Sequence, residues 1–176
     1  ITATSASLNT RGKQQWQYGR FEMRARIPTG PGRWPAFWTL GVAKPWPSNG
    51  EIDIMEYYKG KVLANVASGT AQPNTAKWHS ETRPVASFAD PAWASKFHVW
   101  RMDWDAQAIR LYVDDELLNE TLLTNTVNQD GTGFNPMMQP HYVLLNLALG
   151  GDNGGELTPA TLPARYEIDY VRVYQR

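Results

Sequence analysis

The stretch Gly50 to Tyr58, GEIDIMEYY, carries three carboxylates, Glu51, Asp53 and Glu56, inside an otherwise apolar run. Alternation along a strand puts Glu51 and Asp53 on one face and Glu56 on the other. A solvent face would mix signs, whereas every polar residue from Glu51 to Glu56 is an acid, and Ile52, Ile54 and Met55 lie between them. Crowded carboxylates raise one another's pKa, and proteins keep such crowding mainly where it is used. A β-bulge around Ile54–Met55 would resolve the phase by returning Glu56 to the face of Glu51 and Asp53. Two long glutamate side chains on one face can then converge to the roughly 5–5.5 Å carboxyl separation of double-displacement glycoside cleavage. One acid would attack the anomeric carbon. The other would protonate the leaving oxygen and later activate water. Asp53, between them, would bond the nucleophile and help separate the two glutamates' pKa values.

The elements around these acids read as strands. In Tyr18 to Pro28, Phe21, Met23, Ala25 and Ile27 alternate with Arg20, Glu22, Arg24 and Arg26, the pattern of a half-exposed strand. AFWTLG, EIDIMEYY, VLANVAS, FHVWRMDWD, AIRLYVDDELL, HYVLLNLALGG and RYEIDYVRVYQ read as further strands. PTGPGRWP and KPWPSNG read as loops, and FADPAWAS as the one helical turn. The expected fold is all-β, an antiparallel β-sandwich or barrel. DNGGELTPATLP reads as a loop within the domain, so residues 1–176 are taken as a single domain.

Lysine and arginine balance aspartate and glutamate at 17 each, and no basic stripe stands out, so no nucleic-acid partner is expected. No apolar run reaches the length of a membrane span, so no membrane partner is expected either. The absence of cysteine excludes thiolate chemistry and a disulfide framework but leaves the compartment open. The three histidines lack zinc spacing, and GTG and GPG open no helix that could cradle phosphate. Eight tryptophans and eight tyrosines in a chain with 19% charged residues suit either a core or a groove for flat-faced sugars.

GEIDIMEYY resembles the signature of glycoside hydrolase family 16 in its bulged form. LNTRGKQQWQYGRFEMRARIPTGPGRWPAFWTLG is similar to the strands before that signature in bacterial laminarinase-like members. FHVWRMDWDAQAIRLYVDDELL and YEIDYVRVYQ resemble later strands of the family. The resemblance implies a β-jelly-roll with a concave substrate cleft, and an endo-acting, retaining reaction on a β-linked polysaccharide, either β-1,3 or mixed β-1,3/1,4 glucan. It implies Glu51 as nucleophile, Asp53 as assisting acid and Glu56 as general acid/base. A galactan of the agar or carrageenan type ranks second as substrate. A non-catalytic carbohydrate-binding jelly roll is the reading from another class. Plant-type transglycosylases rank lower, because their signature lacks the extra residue.

The resemblance also assigns outlying residues. Trp34 and Trp46, placed in stiff proline-flanked loops, are expected as sugar platforms, and Trp38 divides evenly between platform and packing. Asn9 and Arg11 become candidate hydrogen-bonding partners for sugar hydroxyls. Asn146, polar within LLNLALGG, is weighed toward the core, as are Trp16, Trp100, Trp104 and His98. Asp169 matches a family calcium ligand on the convex side, so a structural calcium is an expectation; no cofactor is required for the reaction. Ala67 stands where laminarinase-like members often carry histidine, which leaves the choice of glucan open. The family's domains begin with further strands, so the chain is expected to be N-terminally incomplete. A polymeric substrate implies a secreted or cell-surface enzyme.

Overall fold

The computed structural model describes residues 3–159 and 162–175. Among these, eleven strands form: β1 (Ser7–Asn9), β2 (Gly19–Arg26), β3 (Arg33–Gly41), β4 (Glu51–Tyr58), β5 (Lys61–Gly69), β6 (Ala76–Pro84), β7 (His98–Trp104), β8 (Ala108–Val113), β9 (Glu116–Leu122), β10 (His141–Leu149) and β11 (Glu167–Tyr174). They build a six-stranded sheet in the order β1-β10-β3-β4-β5-β6 and a five-stranded sheet in the order β11-β2-β7-β8-β9. Every pairing is antiparallel. This is the expected all-β sandwich, with the jelly-roll architecture.

Alternation decides which face each strand buries. On β2, Phe21, Met23 and Ala25 are fully buried, while Arg20, Glu22, Arg24 and Arg26 face outward. Trp100, Met102, Ile109 and Leu111 extend that inner face across β7 and β8. The six-stranded sheet meets them with Phe37, Ile52, Ile54, Met55, Ala64 and Val66 in one continuous cluster. Each such large side chain contributes about 1.5–3 kcal/mol when withdrawn from water. The face of the six-stranded sheet turned away from this core is left for polar residues, and the acids sit there.

Several elements differ from the sequence reading. Trp34 lies inside β3 and not in a loop, because the strand begins at Arg33 and runs through Pro35. AIRLYVDDELL is two strands, since Asp114 and Asp115 both adopt positive φ (47° and 67°) and reverse the chain, as a two-residue hairpin turn requires. Strands β1 and β6 add to the elements expected from sequence, because neither shows apolar alternation. The single expected helical turn is a pair of short 3₁₀ turns, Val85–Phe88 and Trp93–Ser95. Trp100 and Trp104 are buried as expected, and His98 is held between Asp114 and the Trp93 carbonyl.

Candidate active site

A register shift brings the acids together. Trp38 pairs with Asp53, Phe37 with Met55 and Ala36 with Glu56, so Ile54 has no partner on β3. On the other side, Asp53 pairs with Asn65 and Glu56 with Leu63. Two residues, Ile54 and Met55, therefore fill the interval that β5 fills with Ala64 alone. Both turn into the core with no exposed surface. The bulge absorbs the extra residue, and Glu56 emerges on the outer face with Glu51 and Asp53.

Directly paired residues share a face, so the register gives a map of this surface. One row runs Tyr142, Leu40, Glu51, Ala67, Trp78. The next runs Leu144, Trp38, Asp53, Asn65, Ser80. The third runs Asn146, Ala36, Glu56, Leu63, Thr82.

Each acid is held by a named donor. The Trp46 indole Nε1–H donates to Glu51 Oε2 at 2.6 Å, and the Trp34 Nε1–H to Glu56 Oε1 at 2.7 Å. Asn65 Nδ2 donates to Glu56 Oε2 at 3.1 Å and to Asp53 Oδ2 at 3.3 Å. The two acceptors fix which way the Asn65 amide points, leaving its Oδ1 buried without a partner. Trp34 also meets the Tyr58 ring edge-on at 5.6 Å.

Burial is the main cause of every pKa shift at the three acids. It pushes Glu56 up to about 7, and the Glu51 charge adds to the rise, while the bonds from Trp34 and Asn65 oppose it. Asp53, only 2% exposed, is driven well above the ordinary carboxylate range by burial and by the charges of Glu56 and Glu51. Glu51 is also raised by burial, but the bonds from Trp46 and Asp53 pull it back down. The contact between the two lowers Glu51 and raises Asp53. The site thus contains a glutamate held by the Trp46 N–H, a buried aspartate raised well above the ordinary range, and a second glutamate raised to about 7. Carboxyl groups whose environments differ in this way can divide the parts of nucleophile and acid.

The expected outlying residues are distributed more widely. Trp46 stands 42% exposed in the β3–β4 loop, and Trp34 lies in β3; both spend their N–H groups on the acids. Trp38 is on the acid face and donates to Asn146 Oδ1 at 2.7 Å. Asn146 accordingly lies on that face, half-buried, and not in the core, because its pairing with Ala36 gives it the parity of Glu56. Asn9, on edge strand β1, accepts the Arg11 backbone N–H at 3.1 Å, and the Arg11 guanidinium lies 5.7 Å over the Tyr142 ring. These two sit strands away from the acids.

Asp169 occupies the register shift between Ile168 and Tyr170 and receives Arg24 Nη1 at 2.8 Å. Calcium needs six to eight oxygens. Among the described residues no group of three or more His, Cys, Asp or Glu side chains stands ready for a metal. One carboxylate already paired with a guanidinium does not fit that requirement. A groove of about 780 Å³ between β1, β10 and the segment before β11 is lined by Leu8, Leu147, Leu149, Pro163, Tyr166 and Ile168 among others. Among the described residues that line it, none is an Asp, Glu or His.

The sequence reading singles out neither Asn65 nor Trp78, which the register places on the acid face. Asn65 carries a signal, since a lone polar residue in an apolar strand shares parity with Ala67. Trp78 carries none, because β6 is polar throughout.

A two-sheet antiparallel sandwich bearing a bulged strand of acids on its outer face has the architecture of a carbohydrate-active jelly roll. The chain belongs to glycosyl hydrolases family 16, whose model matches residues 2–172. It is 41% identical over 184 residues to a beta-glucanase of Rhodothermus marinus, covering 98% of this chain and 62% of that protein. The solved laminarinase from Rhodothermus marinus superposes with a TM-score of 0.81 at 36% identity, covering 97% of this chain and 70% of that one. A structure described under endo-acting O-glycanases with which human gut microbes initiate mucin breakdown gives a TM-score of 0.85 at 32% identity, covering 96% of this chain and 61% of that one. The chain thus spans roughly three-fifths of the curated relative it matches.

Proposed function

We propose that this chain is the catalytic domain of an endo-acting retaining glycoside hydrolase that cleaves β-1,3 or mixed β-1,3/1,4 glucan by double displacement. The observation that carries the reading is the bulge, which puts Glu51, Asp53 and Glu56 on one face. In the first half-reaction Glu51 attacks the anomeric carbon and the glycosidic C–O bond breaks. The Glu56 proton passes to the leaving oxygen, and a glycosyl ester forms on Glu51. In the second, the Glu56 carboxylate takes a proton from water, the water oxygen attacks the same carbon, and Glu51 is released. Asp53 keeps its proton throughout and bonds Glu51, favouring the ionised nucleophile before attack.

The names of the beta-glucanase and laminarinase relatives support glucan as the substrate. The close superposition on the O-glycanase structure supports a second reading, a mucin O-glycan cut by the same acids. A polymer of either kind is met outside the cell or at its surface.

The test is hydrolysis of laminarin, lichenan, agarose, carrageenan and mucin O-glycans, with product sizing, by the wild type and Glu51→Gln. Internal cuts in laminarin or lichenan that vanish in Glu51→Gln, with oligosaccharide binding retained, support the proposal. Cleavage confined to galactan or mucin replaces the substrate. Binding without hydrolysis in the wild type makes the domain a binding module.

A further inference from the structure

Trp78 is 45% exposed on β6, the outer strand of the sheet that carries the acids. It pairs directly with Ala67, which pairs directly with Glu51. All three share the acid face. At about 4.8 Å between strands, Trp78 lies about 10 Å from the Glu51 backbone, across the strands. That is roughly the length of two linked pyranose rings. Ala67, between them, is small and fully buried, so the exposed indole of Trp78 is the next surface of this row that a glycan reaching beyond Glu51 can meet.

Trp78 also differs from the other tryptophans of this face. Trp34, Trp38 and Trp46 commit their indole N–H groups to Glu56, Asn146 and Glu51. The Trp78 N–H has no hydrogen-bond partner among the described residues, and no other aromatic ring packs on its own. Lys77 and His79, its neighbours on the strand, point to the opposite side and bond the Asn125 carbonyl at 3.2 and 3.1 Å. These bonds anchor the edge strand and fix which face the indole takes.

We propose that Trp78 is a sugar-binding platform, stacking beneath a pyranose about two residues from the bond that is cut. It makes recognition depend on glycan length on this side of Glu51. A large aromatic surface presented to water with a free N–H suits an apolar sugar face with a hydroxyl at its rim. This inference rests on the glycan-hydrolase reading.

The experiment measures kcat/KM of wild type, Trp78→Ala and Trp78→Phe on a ladder of two- to seven-unit oligosaccharides from whichever polymer the wild type cleaves. Trp78→Ala is expected to lower kcat/KM on the longest ligands roughly three- to tenfold, through KM. It should leave the shortest cleaved ligand unchanged, and Trp78→Phe should recover most of the loss. Equal effects at every length, or none, overturn the inference while the hydrolase reading stands. Absence of cleavage by the wild type, with no change in tryptophan fluorescence on adding the polymers, overturns both.

Discussion

Asn65 reaches from β5 to two acids at once, with Nδ2 at 3.1 Å from Glu56 Oε2 and 3.3 Å from Asp53 Oδ2. It ties Glu56, the proposed proton donor, to Asp53, the proposed partner of the nucleophile. Removing it in Asn65→Ala should lower kcat about ten- to hundredfold with KM little changed, because it positions reacting groups without needing to hold the glycan. Asn65→Asp should be worse than alanine, since it adds another carboxylate to a crowded site. Steady-state kinetics on a soluble oligosaccharide checks both; a loss seen only in KM contradicts this role.

The two tryptophan bonds should move opposite limbs of the pH–rate bell in the same direction. With Glu56 as the proposed acid, activity needs it protonated, and the alkaline limb is expected near its pKa of about 7. Trp34 stabilises the Glu56 carboxylate, so Trp34→Phe raises that pKa and shifts the alkaline limb upward. With Glu51 as the proposed nucleophile, activity also needs it ionised, and Trp46 stabilises that form. Trp46→Phe therefore moves the acid limb upward. Shifts of about 0.5–1 unit are expected in kcat/KM profiles. Movement of the same limb in both variants contradicts the assignment.

Stability should carry the same signature. Folding raises the Glu56 pKa from the ordinary 4.5 to about 7. The folded state holds the proton more tightly, so this favourable contribution is complete below about pH 4.5 and is lost as pH rises through 7. The loss corresponds to roughly 3 kcal/mol. Glu56→Gln cannot titrate. Its melting temperature should match the wild type near pH 5 and exceed it at pH 8, as read by calorimetry. Parallel curves contradict the shift.

The bulge has its own test in Ile54, which is fully buried although it has no partner on β3. Ile54→Ala should reduce unfolding free energy by about 2–5 kcal/mol. It should leave the pH profile in place, because the side chain points away from the acids. Urea titration measures the first effect. A change under about 0.5 kcal/mol would place Ile54 on the surface and undo the register.

The sequence displays the central device because the break in phase is written in residue types. Three acids separated by one and then two apolar residues, Glu51, Asp53 and Glu56, require an inserted residue if they are to meet. Strand β2 is as legible, since its arginines alternate cleanly with Phe21, Met23 and Ala25. Strand β6 is not, because an edge strand buries little and shows no alternation. Trp34 reads as a loop residue because Pro35 signals a turn, whereas in β3 it sits within a nine-residue strand in the middle of its sheet. The apolar neighbours of Asn146 suggest the core, and only the register with Ala36 reveals its face. The tryptophan N–H bonds to Glu51 and Glu56 join residues from a loop or a neighbouring strand, and no spacing rule announces them.

The most direct measurement of the central claim is the configuration of the first product. Proton NMR during the first minutes of hydrolysis of a defined β-linked oligosaccharide reads the new reducing end before mutarotation. The β anomer is expected first, because Glu51 and Glu56 share one face and act by double displacement. Initial appearance of the α anomer would mean a single displacement by water, and would contradict Glu51 as nucleophile and Glu56 as acid/base alike.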